Sequence, residues 1–297
     1  MVIVQLLGGL GNQMFQYALG RQLAKLNDAE LKLDTSILLD WRVGKHAVNR
    51  NFDLDIFSLT PAFAGKEDIA PYHTTGMRLP EKIFYTVKRK LNGRQIMREQ
   101  FFHFDASILD LRGDIYLSGT WQSYKYFEQI DPIIRHDFEF IIPMSAHALK
   151  LAQQINKVQS VCLNVRRTDY ISAAATAKTM GVIGLDYYKE ALSLMKEWVG
   201  DFEVFVFSDD IVWCVENLNF IEQPVFFVDH HYAGLKFSDY LNLMRQCKHY
   251  IIPNSTFAWW GAWLNQDASK KVIAPKHWMN DPAINTNDLI PGTWTRL

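Results

Sequence analysis

The run Ser160-Val-Cys-Leu-Asn-Val165, which leads straight into Arg166-Arg-Thr-Asp-Tyr170, decides the fold class of this chain. It is largely apolar and rich in β-branched side chains, as a strand of a buried parallel sheet requires. Outward towards the C-terminus, Leu185 to Trp198 sets Tyr188, Ala191, Leu192 and Met195 at helical spacing, Phe202 to Phe207 is again strand, and Ile211 to Leu218 is a short helix. Val225 to Val228 (strand), Phe237 to Cys247 (helix), Tyr250 to Ile252 (strand), Thr256 to Leu264 (helix) and Val272 to Ala274 (strand) continue the alternation. Strands this apolar have no wet face, so the repeats predict a parallel sheet with helices on both sides. Ligands of such sheets bind where strand carboxyl ends meet helix N-termini, and the chemistry is sought there.

Outward towards the N-terminus, Val2 to Leu7 reads as strand, Gly8 to Gln13 as loop, Met14 to Leu26 as amphipathic helix and Leu31 to Leu33 as a second strand. From Leu38 to Phe104 the pattern degrades under Pro and Gly punctuation; Ile115 to Leu117 is then strand and Ser145 to Ile155 helix. The expected organisation is two α/β domains facing a cleft, residues 1–150 and 151–297, with the boundary between Pro143 and Lys157.

Composition narrows the function classes. Thirty-one Lys and Arg against 32 Asp and Glu leave a net charge of −1, which argues against a nucleic-acid partner, whose binding usually needs a strongly basic face. With 48% hydrophobic and 21% charged residues the chain is not a mainly disordered one. Cys162, Cys214 and Cys247 form no CxxC, and an odd count suits a reducing compartment. The opening Met1-Val-Ile-Val-Gln-Leu-Leu-Gly-Gly is too short and uncharged for a signal peptide. No stretch approaches the ~18–20 apolar residues of a membrane span. A soluble, cytoplasmic protein is expected. The basic run Lys88-Arg89-Lys90 with Arg94 is a solvated face that also attracts an anionic membrane surface weakly, at the inner membrane if so.

Four polar stretches stand at expected strand ends. Gly8-Gly-Leu-Gly-Asn-Gln13 lacks the third glycine of a dinucleotide fingerprint, since position 14 is Met14. What remains is a glycine turn at a helix start, where Gly9, Gly11, Asn12 and Gln13 can approach an anion or a polar sugar. In Asn164-Val-Arg-Arg-Thr-Asp169 two guanidiniums sit at a strand carboxyl end, the chemistry of bidentate phosphate recognition, with Asp169 placed to pair with one of them. Asp209 and Asp210 follow Phe207-Ser208; one can cap the next helix while the other accepts from the N–H edge of a base or binds a metal. Asn254-Ser-Thr-Phe257 opens a helix and forms a second phosphate cradle, whereas Trp259, Trp260 and Trp263 read as core. Asp53-Leu-Asp55 lies away from these ends and reads as structural, and the nine histidines show no zinc spacing.

Taken together, the stretches Gly8-Gly-Leu-Gly-Asn-Gln-Met-Phe-Gln-Tyr17, Gly119-Thr-Trp-Gln-Ser123, Arg166-Arg-Thr-Asp-Tyr170, Leu185-Asp-Tyr-Tyr-Lys-Glu-Ala191, Phe207-Ser-Asp-Asp210 and Asn254-Ser-Thr-Phe-Ala-Trp-Trp-Gly-Ala262 resemble the bacterial-type α-1,2-fucosyltransferases over nearly the whole chain. The resemblance implies a GT-B-like pair of Rossmann-type domains and a metal-independent, inverting transfer of L-fucose from GDP-fucose to the 2-hydroxyl of a β-galactoside, with no further cofactor. It implies that Arg166 holds the GDP β-phosphate, that Asp209 or Asp210 contacts guanine, that Ser255, Thr256 and Phe257 line the diphosphate site, and that Gly11 and Asn12 reach the sugar–diphosphate. Arg166, Asn12 and Asp169 are accordingly the candidate catalytic residues, with Gly9, Gln13, Asn164 and Asn254 completing the substrate-binding set. The chain departs from the family in having Asn164 where His is usual and Thr168 where Gly is usual, so no proton acceptor is assigned to position 164. Asp169 is a poor base, because an arginine partner lowers its pKa. The competing readings are a transferase for another nucleotide sugar and a non-catalytic nucleotide- or glycan-binding protein.

Overall fold

The computed structural model describes residues 1–38, 51–72, 78–91, 93–168 and 179–297. The chain forms two compact units: Met1–Glu139 with Asn287–Leu289, and Phe140–Thr286 with Ile290–Leu297. The expected boundary at residue 150 falls inside a helix, and the division lies eleven residues earlier, between Glu139 and Phe140. The return of residues 287–289 to the first unit has a local cause. Asp288 forms an ion pair with Lys125, accepts the Phe104 N–H at 3.2 Å, and takes the Ser123 hydroxyl on its carbonyl at 2.8 Å.

In the first unit β1 (Val2–Gln5), α1 (Leu10–Leu26) and β2 (Leu31–Asp34) are followed by β3 (Ala62–Phe63), α2 (Lys66–Ile69), α3 (Leu79–Leu91), β4 (Gln95–Arg98), β5 (Ile115–Ser118) and α4 (Asp131–Asp137). The sheet order is β3-β2-β1-β5-β4 and every pairing is parallel. Helix α1 begins four residues before the expected Met14, because Gly9 is extended and serves as its N-cap. Gly20 lets α1 lie directly on the sheet: a Cβ there would come within 2.4 Å of Val4 and 2.8 Å of Leu31. The short β3 and β4 were not legible in the sequence; a two-residue strand and a half-exposed edge strand carry almost no periodic signal.

The second unit holds α5 (Ala146–Lys157), β6 (Ser160–Val165), α6 (Leu185–Val199), β7 (Glu203–Ser208), α7 (Ile211–Asn217), β8 (Val225–Val228), α8 (Ser238–Gln246), β9 (His249–Ile251), α9 (Thr256–Leu264), β10 (Val272–Ala274) and β11 (Thr295–Arg296). The strands run β11-β10-β9-β6-β7-β8, all parallel. Relabelled within the unit this is 3-2-1-4-5-6 read from the β8 edge, the doubly wound order, whose switch point lies between β6 and β9. Val161, Leu163 and Val165 pack with Val204 and Val206 against Tyr188, Ala191 and Met195 of α6 and Cys214 of α7. The opposite face takes α8, where Tyr240 meets Phe207 at 5.1 Å. Trp259, Trp260 and Trp263 are core as expected, and truncating one to Ala costs roughly 3–5 kcal/mol in such a setting. The three cysteines are buried and free. Among the described residues no helix is long and apolar enough to cross a membrane.

Candidate active site

The register of the second sheet aligns the candidate residues. Leu163 pairs with Ile251 and Val165 with Ser208, so the chain leaving β6 at Arg166 runs between the segments leaving β9 towards Ser255 and leaving β7 at Asp209. Neighbouring strands lie about 4.8 Å apart. Arg166 and the start of α9 therefore share the carboxyl edge at the switch point, where doubly wound sheets take their ligands.

Asp209 organises this edge. Its Oδ1 accepts the Arg167 N–H at 2.9 Å, its Oδ2 accepts the Thr168 N–H at 3.0 Å, and Arg166 Nη1 stands 3.3 Å from Oδ2. The Thr168 hydroxyl donates to the Asp209 carbonyl at 3.2 Å. Asp210 accepts the Trp213 N–H at 3.2 Å as N-cap of α7, and its other oxygen lies 3.7 Å from Arg167 Nε. Arg167 lies 3.7 Å over the Trp213 ring, a close cation–π contact. The cap expected of one aspartate is thus Asp210. The base contact expected of the other meets a carboxylate already bonded to the loop, so Asp209 acts here as a strut. Of the two arginines, Arg167 is committed to structure and Arg166, with 29% of its side chain exposed, stands nearer to solvent.

Ser255 is the N-cap of α9: its hydroxyl accepts the Ala258 N–H at 3.4 Å and its carbonyl the Trp259 N–H at 2.9 Å. Thr256 and Phe257 form the first turn, partly exposed, so the positive end of the helix opens on the sheet edge. Asn254 was expected to bind substrate, but it is buried and its amide donates to the carbonyls of Met180 at 2.6 Å and Trp278 at 3.2 Å. It clips the chain behind the cradle. Asn164 is buried at the end of β6, on the strand face opposite Leu163 and Val165. Asp169 lies outside the described residues, as do residues 170–178.

In the first unit the glycine turn is a helix start rather than a loop. Gly8 has φ +78°, and a Cβ there would meet Asn12 Nδ2 at 2.4 Å. Gly9 has nothing within 4 Å of a Cβ, so a ligand can approach its backbone. Gly11 is buried in the first turn, and Asn12 accepts the Gln122 amide at 3.0 Å. Gln13 is displaced from the expected binding set: it is fully buried, donates to the carbonyls of Gly8 and Asn51 at 3.0 and 2.9 Å, and accepts the Asp53 N–H at 3.0 Å. The Asp53-Leu-Asp55 stretch is thereby held by backbone, in keeping with its structural reading.

Two features escaped the sequence. Glu99 accepts Thr120 N–H, Thr120 hydroxyl and Trp121 N–H at 2.6, 2.8 and 2.9 Å, fixing the Gly119–Ser123 turn, while burial pushes its carboxyl pKa up. At the second edge, Lys236 and Phe237 are consecutive non-glycine residues in left-handed backbone, φ +51° and +61°. Phe237 is 46% exposed and meets His230 at 5.7 Å and Phe257 at 6.5 Å, edge on. His230 is anchored to the Ser208 carbonyl at 3.0 Å. An aromatic wall therefore adjoins the first turn of α9. Such strain persists only where the surroundings enforce it, and it clusters at ligand sites. No motif of spacing announces it; the signal is φ alone.

The family model for glycosyl transferase family 11 matches residues 1–297. An alpha-1,2-colitosyltransferase of Escherichia coli is 31% identical over 100% of this chain and 98% of its own length. A galactoside alpha-(1,2)-fucosyltransferase 2 of Pongo pygmaeus is 25% identical over 88% of this chain and 68% of its own. Among solved structures, a mutant of Arabidopsis thaliana FUT1 in complex with GDP superposes with a TM-score of 0.51 at 12% identity, covering 98% of this chain and 74% of that one. The two Rossmann-type α/β units are those of a GT-B-like fold, as the resemblance implied. The chain belongs to glycosyl transferase family 11 and is a glycosyltransferase.

Proposed function

We propose that the chain transfers L-fucose from GDP-fucose to the 2-hydroxyl of a terminal galactose, with inversion and without a metal ion. The observation that carries this reading is the placing of Arg166 and the Ser255-capped start of α9 at neighbouring strand ends on the switch point. In the step, the bond from fucose C1 to the β-phosphate oxygen breaks as the galactose oxygen bonds to C1 from the opposite side. Positive charge develops on the sugar and negative charge on the departing diphosphate. A guanidinium and a helix N-terminus aimed at that diphosphate stabilise its growing charge, and one such donor is worth about 2.7–4 kcal/mol of barrier. The Phe237–Phe257 wall supplies the apolar surface for the guanine ring. Gly11 and Asn12 keep the role of reaching the sugar–diphosphate that the resemblance implies.

A second donor is favoured by the 31% identical relative, which is named an alpha-1,2-colitosyltransferase. Colitose is fucose without its 3-hydroxyl. A pocket that hydrogen-bonds that hydroxyl rejects the deoxy sugar by up to about 10⁴–10⁵, whereas an apolar pocket discriminates weakly. Parallel turnover of GDP-fucose and GDP-colitose on lactose, N-acetyllactosamine and galactosyl-N-acetylgalactosamine decides between them, with GDP release as the readout. Thermal protection by GDP and none by UDP is expected. Equal protection by UDP points to another nucleotide sugar, and donor binding without GDP release in the presence of any galactoside points to a non-catalytic binder.

A further inference from the structure

Helix α3 leaves its apolar stripe in solvent. Leu79, Ile83, Phe84 and Val87 share one face by helical spacing, and they are 70%, 53%, 58% and 47% exposed. The half-buried positions of the same helix are Tyr85, on the opposite side, and Thr86, which borders the stripe seven residues on from Leu79. A helix of a soluble fold ordinarily buries its apolar stripe, since each such side chain gains from leaving water. Here the stripe is the outer surface. The charge is one-sided too: residues 78–90 contain Arg78, Lys82, Lys88, Arg89 and Lys90 against Glu81 alone, in a chain of net charge −1.

From this we infer that α3 docks on an anionic lipid surface, lying in its plane with the apolar stripe among the acyl chains and the flanking cations at the headgroups. That combination of a strong apolar stripe and local positive charge is what interfacial helices use. A second copy of the chain fits less well, because it would bring the same cations together. The inference goes beyond the donor assignment and does not depend on it.

Vesicle co-sedimentation tests it, with phosphatidylcholine alone and with about one-third phosphatidylglycerol, at about 0.1 M salt where charge still acts over ~10 Å. Two variants keep the test open if one misfolds: Ile83→Glu/Phe84→Glu, and Arg78→Glu/Lys82→Glu, all at exposed positions. The expected result is binding to the anionic vesicles only, reduced about tenfold or more by each variant with unchanged thermal unfolding. Absence of binding overturns the inference. So does equal binding to both vesicle types, or a dimer in sedimentation that the Ile83→Glu/Phe84→Glu variant dissolves while vesicles capture nothing.

Discussion

Arg166 Nη1 lies 3.3 Å from Asp209 Oδ2, and that carboxylate also accepts the N–H groups of Arg167 and Thr168. One aspartate therefore sets the guanidinium and the two amides beside it as a single unit at the end of β6. If Arg166 faces the diphosphate, Arg166→Ala lowers the transfer rate by about 10²–10³. Its effect on folding is small, about 1 kcal/mol or less, because the pair is partly exposed. Single-turnover GDP release with a matched unfolding curve checks both halves; a rate within about threefold of the parent ends the assignment.

Asp209→Asn separates the strut from the ligand. An amide nitrogen replaces one oxygen and faces either the Arg167 or the Thr168 N–H, donor against donor. The loss of stability is expected at about 1–3 kcal/mol, with a raised donor KM as the Arg166 loop loosens. Urea unfolding and donor titration read the two effects. An unchanged midpoint combined with a changed preference between guanine and other bases would favour direct base contact instead.

Phe237→Gly tests the aromatic wall. Glycine accepts φ +61° without the roughly 1–2 kcal/mol that an L side chain costs there, so the fold holds or gains while an exposed ring is lost. GDP affinity falls about tenfold, within the range of base–aromatic stacking, and inorganic pyrophosphate affinity stays as it was. Calorimetry with the two ligands gives the comparison. An equal loss for both contradicts a base-specific role.

His249 governs stability towards acid. Its Nδ1 accepts the Lys271 N–H at 3.0 Å, which needs a neutral ring, and burial pushes its pKa below the ordinary 6.5. Below that ordinary value the unfolded chain binds a proton that the folded chain refuses. The contribution is thus intact above 6.5 and is lost as pH falls from there to the depressed value. His249→Gln flattens this part of the stability–pH profile, and parallel slopes for the two proteins would contradict it.

The strand–helix alternation of the second unit was legible because buried parallel strands are continuous apolar runs; β6, α9 and β10 lie where their residues predict. Arg166 and Ser255 were legible by position, since the carboxyl edge of a doubly wound sheet follows from the order of its elements. Helix α3 was not. A reader of amphipathic patterns assigns its stripe to the core, and only the exposure of Leu79, Ile83, Phe84 and Val87 in the folded chain reverses it.

Asp209, Gln13 and Asn254 mark the deeper limit. Each is a polar side chain at a strand end, and its type and place suit a ligand and a backbone donor or acceptor equally well. Residue identity carries the number of hydrogen bonds a group can make, while distance in the folded chain carries who receives them. Gln13 goes to Gly8, Asn51 and Asp53, and Asn254 to Met180 and Trp278, partners from 5 to 74 residues away. Local sequence could hold the first of these; the others exist because folding brings remote backbone to a buried amide that must be satisfied.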